Sequence, residues 1–300
     1  MFIKKYNQFI NESRSKVVNT DKGYLDVIKE YAPWYINKDM TEVPLYRGIK
    51  SNEDYLLIDS KGHNRKPVGN IGSSDEPVPL YYNLIMNESE RWRRFPGYIP
   101  RSESIFCTND INATYNYGRD SEGSTYRVIP LEENTEFIMG FTPDTYGSFT
   151  YINKRFGIDM SHFSREITRQ LGLTNWDYNS LNEMKKEIES IYNSNHKTSE
   201  NVTLTEDFMQ FLNFENSKTG KDREDIITKE ELEKEGGLMK WIEKMFDPEL
   251  NQFESVKYNS DIYFGRTNKY NDRKYTQFEL WTNKPCLLVN NKFFSGSNWN

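Results

Sequence analysis

The spacing that most suggests chemistry lies in Tyr275-Thr276-Gln277-Phe278-Glu279-Leu280-Trp281. Its aromatic and apolar members predict a strand. Strand side chains alternate, so Gln277 and Glu279 share one face while Phe278 and Leu280 turn to a core. Two polar groups on an otherwise apolar strand are costly to bury without partners, so they mark either a solvent-facing edge of a sheet or a partnered site. Far upstream, Pro44-Leu45-Tyr46-Arg47-Gly48-Ile49 reads as a strand with a charge at its centre. A guanidinium there requires an anion: a structural carboxylate, or a bound phosphate or carboxylate gripped by its fork. Gly48 beside it permits close approach of a ligand to the backbone. Between the two, Arg101-Ser102-Glu103-Ser104-Ile105-Phe106-Cys107-Thr108 alternates as a strand that places Ser102, Ser104, Phe106 and Thr108 on one face.

These stretches must be positioned by a sizeable fold. The chain has 300 residues, 36% hydrophobic and 15% aromatic, enough for one large or two modest domains with a real core. Net charge is −6, which argues against a broad nucleic-acid footprint. The two cysteines, Cys107 and Cys286, make neither a disulfide framework nor a zinc site, and fit a reducing compartment. His63, His162 and His196 are too scattered for a metal site, and no apolar run reaches membrane-spanning length.

Residues 1–13 pattern as a short amphipathic helix through Phe2, Tyr6, Phe9 and Ile10. A helix is expected over 23–37, ended or bent at Pro33. Residues 59–79 read as loop, and 78–94 as helix. Arg91, Arg93, Arg94 and Arg101, interleaved with Trp92, Phe95 and Tyr98, form the one dense basic cluster. Asn109-Asp110 should cap a short helix over 111–117 closed by Gly118. Strands follow at 125–130, from 256 to 262 and at 286–289. Residues 150–250 change character: Gly and Pro thin out, and helical patterns recur at 159–171, 178–193, 203–214 and 228–246. Thr228-Lys229-Glu230-Glu231 resembles a capping box.

In chain order, Tyr46-Arg47-Gly48, the Ser/Thr strand and Gln277-Phe278-Glu279 resemble the Arg–Ser–Glu class of ADP-ribosyltransferases, over residues 43–130 and 256–290. The segment from Arg101 through Gly118 to Pro130 looks like many phage proteins of this superfamily. The resemblance implies an α+β fold, an ADP-ribosyltransferase-like split β-sandwich with a mainly helical insertion. Its halves would be residues 13–149 and 256–300, with the insertion at 150–255. It also implies NAD as substrate. Glu279 would be the catalytic carboxylate below the ribose, and Gln277 would orient the acceptor. Arg47 would clamp the diphosphate, Gly48 would meet the nicotinamide amide, and Thr108 or Ser104 would take the central Ser position. The loop 266–276, with Tyr270, Arg273 and Tyr275, would recognise the acceptor, a host protein or alternatively a nucleic acid. Gln277 resembles members that modify side chains other than arginine, and Cys107-Thr108-Asn109 stands where the family has Ser-Thr-Ser.

Residues 1–12 resemble capsid-targeting peptides of T4-like phages, with a prohead-protease site at Ile10-Asn11-Glu12. That implies a virion internal protein, injected with DNA into the host cytoplasm and without a membrane partner. The alternative is a catalytically inactive virion or anti-defence binding protein that keeps the fold. The RNA 2′-phosphotransferases of the same fold lack the Gln277/Glu279 pattern.

Overall fold

The computed structural model describes residues 15–36, 44–49, 51–59, 81–118, 124–142, 145–171, 173, 178–195, 229–258 and 277–294. The N-terminal peptide, the loop carrying Tyr270, Arg273 and Tyr275, the 203–214 pattern and the Thr228 cap lie outside them.

Strand β1 is Ser15–Val17. Helices α1 (Tyr24–Tyr31) and α2 (Pro33–Ile36) follow. Pro33 divides them because it has no N–H to continue the first helix, yet suits the first position of the second. Strands β2 (Tyr46–Ile49) and β3 (Tyr55–Ile58) come next. The helix expected over 78–94 is two, α3 (Tyr81–Glu88) and α4 (Glu90–Arg93). Ser89 breaks it with extended backbone and caps α4 by accepting from the Trp92 amide. A 3₁₀ turn, Arg101–Glu103, then leads into β4 (Ile105–Thr108), so the strand expected from residue 101 starts four residues later. Helix α5 (Ile111–Gly118) begins where Asp110 accepts from the Asn112 amide at 2.9 Å. Strands β5 (Ser124–Pro130) and β6 (Glu136–Met139) complete this stretch.

The helical region contains α6 (Thr150–Phe156), α7 (Met160–Gln170), α8 (Leu181–Asn195), α9 (Lys229–Glu235) and α10 (Leu238–Met245). One helix was expected over 228–246. Gly236 and Gly237, at φ 86° and 107°, split it into α9 and α10. Strands β7 (Glu254–Lys257), β8 (Glu279–Thr282) and β9 (Cys286–Asn290) return.

The fold is α+β. Among the described residues, nine strands form one antiparallel sheet in the order β1-β3-β9-β5-β2-β4-β8-β6-β7. Two compact units divide the described chain. One holds the sheet with α1, α2 and α5. The other takes its residues from 66–98 and 146–253. Residues 81–98, expected in the first half of the sheet domain, thus belong with the helical unit. The sheet unit's core gathers Tyr126, Val128, Leu280, Cys286 and Leu288 with Val27 and Ile28 of α1. The helical unit buries Trp241, Phe156, Phe163 and Phe246 in mutual ring contact.

No helix among the described residues is long and apolar enough to cross a membrane, and none of their His, Cys, Asp and Glu side chains group as a metal site.

Candidate active site

The sequence-selected residues converge where β2, β4 and β8 meet. Antiparallel partners lie side by side on one face of a sheet. Thr108 of β4 stands opposite Glu279 of β8, and Tyr46 of β2 stands opposite Thr108. Glu279 is 8% exposed and Thr108 6%. Phe278 and Leu280 enter the core, as the alternation requires.

Thr108 is tied down on both sides. Its hydroxyl donates to the Phe278 carbonyl at 2.8 Å and accepts from the Asp110 amide at 3.1 Å. Asn109 accepts from the Phe278 amide at 2.9 Å. Together these fix the start of β8 against the end of β4, so the backbone leading into Glu279 is rigid. Exposed Gln277 lies just before β8 and donates to Asp110 at 2.9 Å, forming a polar lip beside the N-terminus of α5.

Glu279 takes a partner that the sequence did not reveal. Arg101 reaches its Oε1 at 3.0 Å. The same guanidinium rests over the Phe106 ring, 4.3 Å from its centre, with Trp281 at 5.9 Å. A charge pair this buried is held by good geometry, and the ring faces add cation–π attraction on the arginine side. In sequence, Arg101 falls in the basic cluster with Arg91, Arg93 and Arg94. Its real partner is 178 residues away, and no local spacing encodes that.

Arg47 departs from the expected arrangement. Tyr46 shares the side of Thr108 and Glu279, so its neighbour Arg47 springs from the opposite side. The β2–β4 ladder is a single residue pair, and there Arg47 Nη1 donates to the Phe106 carbonyl at 2.7 Å. It braces the seam at which the two strands part. Its charge also acts on two buried thiols. Burial pushes the Cys107 thiol well above its ordinary range, with Cys286 and Glu279 adding and Arg47 opposing. Burial likewise pushes Cys286 up to about 12 against the same arginine. Both thiols therefore stay protonated near neutrality and neither is a nucleophile.

Ser104 is not on the expected strand face. It closes the 3₁₀ turn, fully buried, with its hydroxyl donating to the Pro100 carbonyl at 2.5 Å. That leaves Thr108 as the hydroxyl beside Glu279. Gly48 pairs with Thr125 of β5 and lies on the Tyr46 side of the sheet. No protein-family model, curated protein or solved structure matches this chain.

Proposed function

We propose that this chain is an NAD-dependent ADP-ribosyltransferase built on a split β-sandwich, acting on a host macromolecule, most simply a protein. The observation that carries this reading is the ladder pair of Thr108 and Glu279, buried together two residues after Gln277. In the reaction, the bond between C1′ of the ribose and the nicotinamide nitrogen breaks, and nicotinamide leaves with the bonding electrons. The ribose becomes oxocarbenium-like. A fixed carboxylate in a water-poor site stabilises that charge without reorganising. Glu279 supplies it, with Arg101 setting its orientation from the Phe106 ring. A lone pair of the acceptor closes the new bond at C1′, and its proton passes to solvent. Gln277, exposed at the lip, orients that acceptor. Arg47 acts through the seam it braces, rather than from the face that Glu279 occupies.

In this reading residues 1–12 direct the chain into a phage head, from which it enters the host cytoplasm with DNA. Incubation with labelled NAD and a host lysate tests the transfer. Label should pass to a discrete acceptor with the wild type and fail with Glu279→Gln, which keeps a partner for Arg101. Equal labelling by both would remove Glu279 from the chemistry.

One observation favours a second reading, a binding protein that keeps the fold without turnover. Arg101 already places a positive charge against Glu279, where a developing cation would need it. Tight NAD binding with no cleavage would be its signature.

A further inference from the structure

The polar lip that Gln277 and Asp110 form has a polarity, and its hydrogen bonds fix it. Gln277 Nε2 stands 2.9 Å from Asp110 Oδ2. A carboxylate accepts hydrogen bonds and donates none, so the glutamine amide turns its NH2 to Asp110. The carbonyl Oε1 of Gln277 is then the outward atom, and no group among the described residues donates to it. Asp110 is itself held from two sides. Its other oxygen, Oδ1, accepts from the Asn112 amide at 2.9 Å and caps α5. Its own amide donates to the Thr108 hydroxyl at 3.1 Å, and that hydroxyl donates to the Phe278 carbonyl at 2.8 Å. Asn109 accepts from the Phe278 amide. Three consecutive residues, Thr108, Asn109 and Asp110, thus clasp Gln277-Phe278 at the entrance to β8.

The cap of α5 needs one oxygen, which Ser, Thr or Asn would supply as well as Asp. The second carboxylate oxygen does nothing for the helix. It serves Gln277, an exposed side chain that holds no core together. Fixing an exposed glutamine costs rotamer freedom, and one surface hydrogen bond returns little stability. The order imposed on Gln277 is better accounted for by what its outward carbonyl meets. That carbonyl is a neutral hydrogen-bond acceptor, and its complement is an O–H or N–H. A carboxylate, a thiolate or an unprotonated ring nitrogen brings no hydrogen and would set lone pair against lone pair. The nearby Glu279 carboxylate is already engaged by Arg101 at 3.0 Å, so it offers little to a cationic group.

We infer that Asp110 is a positioning residue: it locks the Gln277 amide with its carbonyl outward, and so selects an acceptor that carries its own hydrogen, a hydroxyl or an amide group. The inference rests on the reading of Gln277 as the residue that meets the acceptor. Asp110 acts through Gln277 and takes no part in bond breaking. Gln277 holds the acceptor's hydrogen without taking the proton, which leaves to solvent once the bond to C1′ has formed.

Asp110→Asn inverts this polarity while keeping the cap. Its one oxygen must stay on the Asn112 amide, which puts its NH2 against Gln277. Gln277 then turns over, Oε1 inward and NH2 outward, because two donors cannot face each other. In the full-length protein with labelled NAD and host lysate, Asp110→Asn should lower transfer by about tenfold or more, the scale of a lost charged hydrogen bond, with KM for NAD unchanged. Gln277→Glu alone should lose transfer too, since two carboxylates then oppose each other. Combined, the two changes should restore most of it: the new amide donates to the new carboxylate, which keeps an accepting oxygen outward. A purely structural role for Asp110 predicts additive losses instead. Additive losses, or undiminished transfer by Asp110→Asn, overturn the inference. A second measurement needs no turnover: exchange with water of the Gln277 side-chain NH2, followed by NMR on protein carrying isotope-labelled glutamine and assigned by its absence in Gln277→Glu. Exchange should be about tenfold slower in wild type than in Asp110→Asn, and equal rates refute the pairing. The outcome separates from that of the transfer reading. If wild type transfers no label, that reading falls, and slow exchange still supports the pairing. Transfer that Asp110→Asn leaves intact does the reverse.

Discussion

The two compact units differ in how many buried ion pairs they use and where these lie. In the helical unit, charge joins one helix to another. Arg91 bonds Asp247 and Glu235, Arg155 bonds Glu231, and Lys185 bonds the nearly inaccessible Glu243. Each pair links segments distant in sequence around an aromatic core, and each is accounted for by holding helices in place. In the sheet unit one such pair, Arg101–Glu279, stands at the end of a row of polar residues along one face: Glu279, Thr108, Tyr46 and Arg127. Charges spread among helices fix a shape. On the proposed reading, the chemistry lies in the sheet unit and the helical unit's ion pairs serve architecture.

Damage to the helical core alone should have the greatest effect on stability. Trp241 is fully buried, meets Phe156 and Phe163, and donates to Glu231 at 3.1 Å. Trp241→Ala should cost about 3–5 kcal/mol in denaturant unfolding through lost contacts and a cavity. A loss below ~1 kcal/mol would mean that this core is not the unit's main support.

Next in size is the pair at the site. Arg101→Met leaves Glu279 buried beside the Phe106 ring without its cation, and should cost about 3 kcal/mol. Adding Glu279→Gln should recover much of that loss, because the penalty comes from an uncompensated charge. Additive losses in the double variant would show that Arg101 acts through packing instead.

The smallest effect sharpens the architectural half. Asp159 caps α7, accepting from the His162 amide and the Ser161 hydroxyl, both at 2.7 Å. Burial raises its pKa, but the Ser161 and His162 hydrogen bonds and the charges of His162 and Arg165 outweigh it, and the net shift is below the ordinary 3.8. Its stabilising contribution is therefore full above the unfolded carboxyl's pKa and is lost as pH falls through the lower folded value. Asp159→Ala should lower stability by about 1 kcal/mol at pH 7. Thermal unfolding of the two proteins should converge only once pH has fallen below the lowered folded pKa of Asp159.

What was legible in the chain was local. The Asp110 cap of α5, strand β5, and the inward turn of Phe278 and Leu280 all follow from turn chemistry and alternation. Helix breaks at Ser89 and at Gly236-Gly237 were hidden because the apolar period continues across them. The 3₁₀ turn at Arg101–Glu103 mimics strand alternation over too few residues to betray itself. Facing pairs were beyond reach. The side of the sheet on which Arg47 falls depends on a single ladder pair between Tyr46 and Thr108. The partners of Arg101 and the ring contacts of Arg127 depend on long-range packing, with no signature at short spacing.

The measurement that bears most directly on the central claim is nicotinamide release from NAD by the purified protein, wild type beside Glu279→Gln. The account predicts release by wild type and a drop of about 10²-fold or more in the variant, the scale of losing a preorganised charge at a developing cation. Release at equal rates, or none from either protein with no NAD bound, would contradict it.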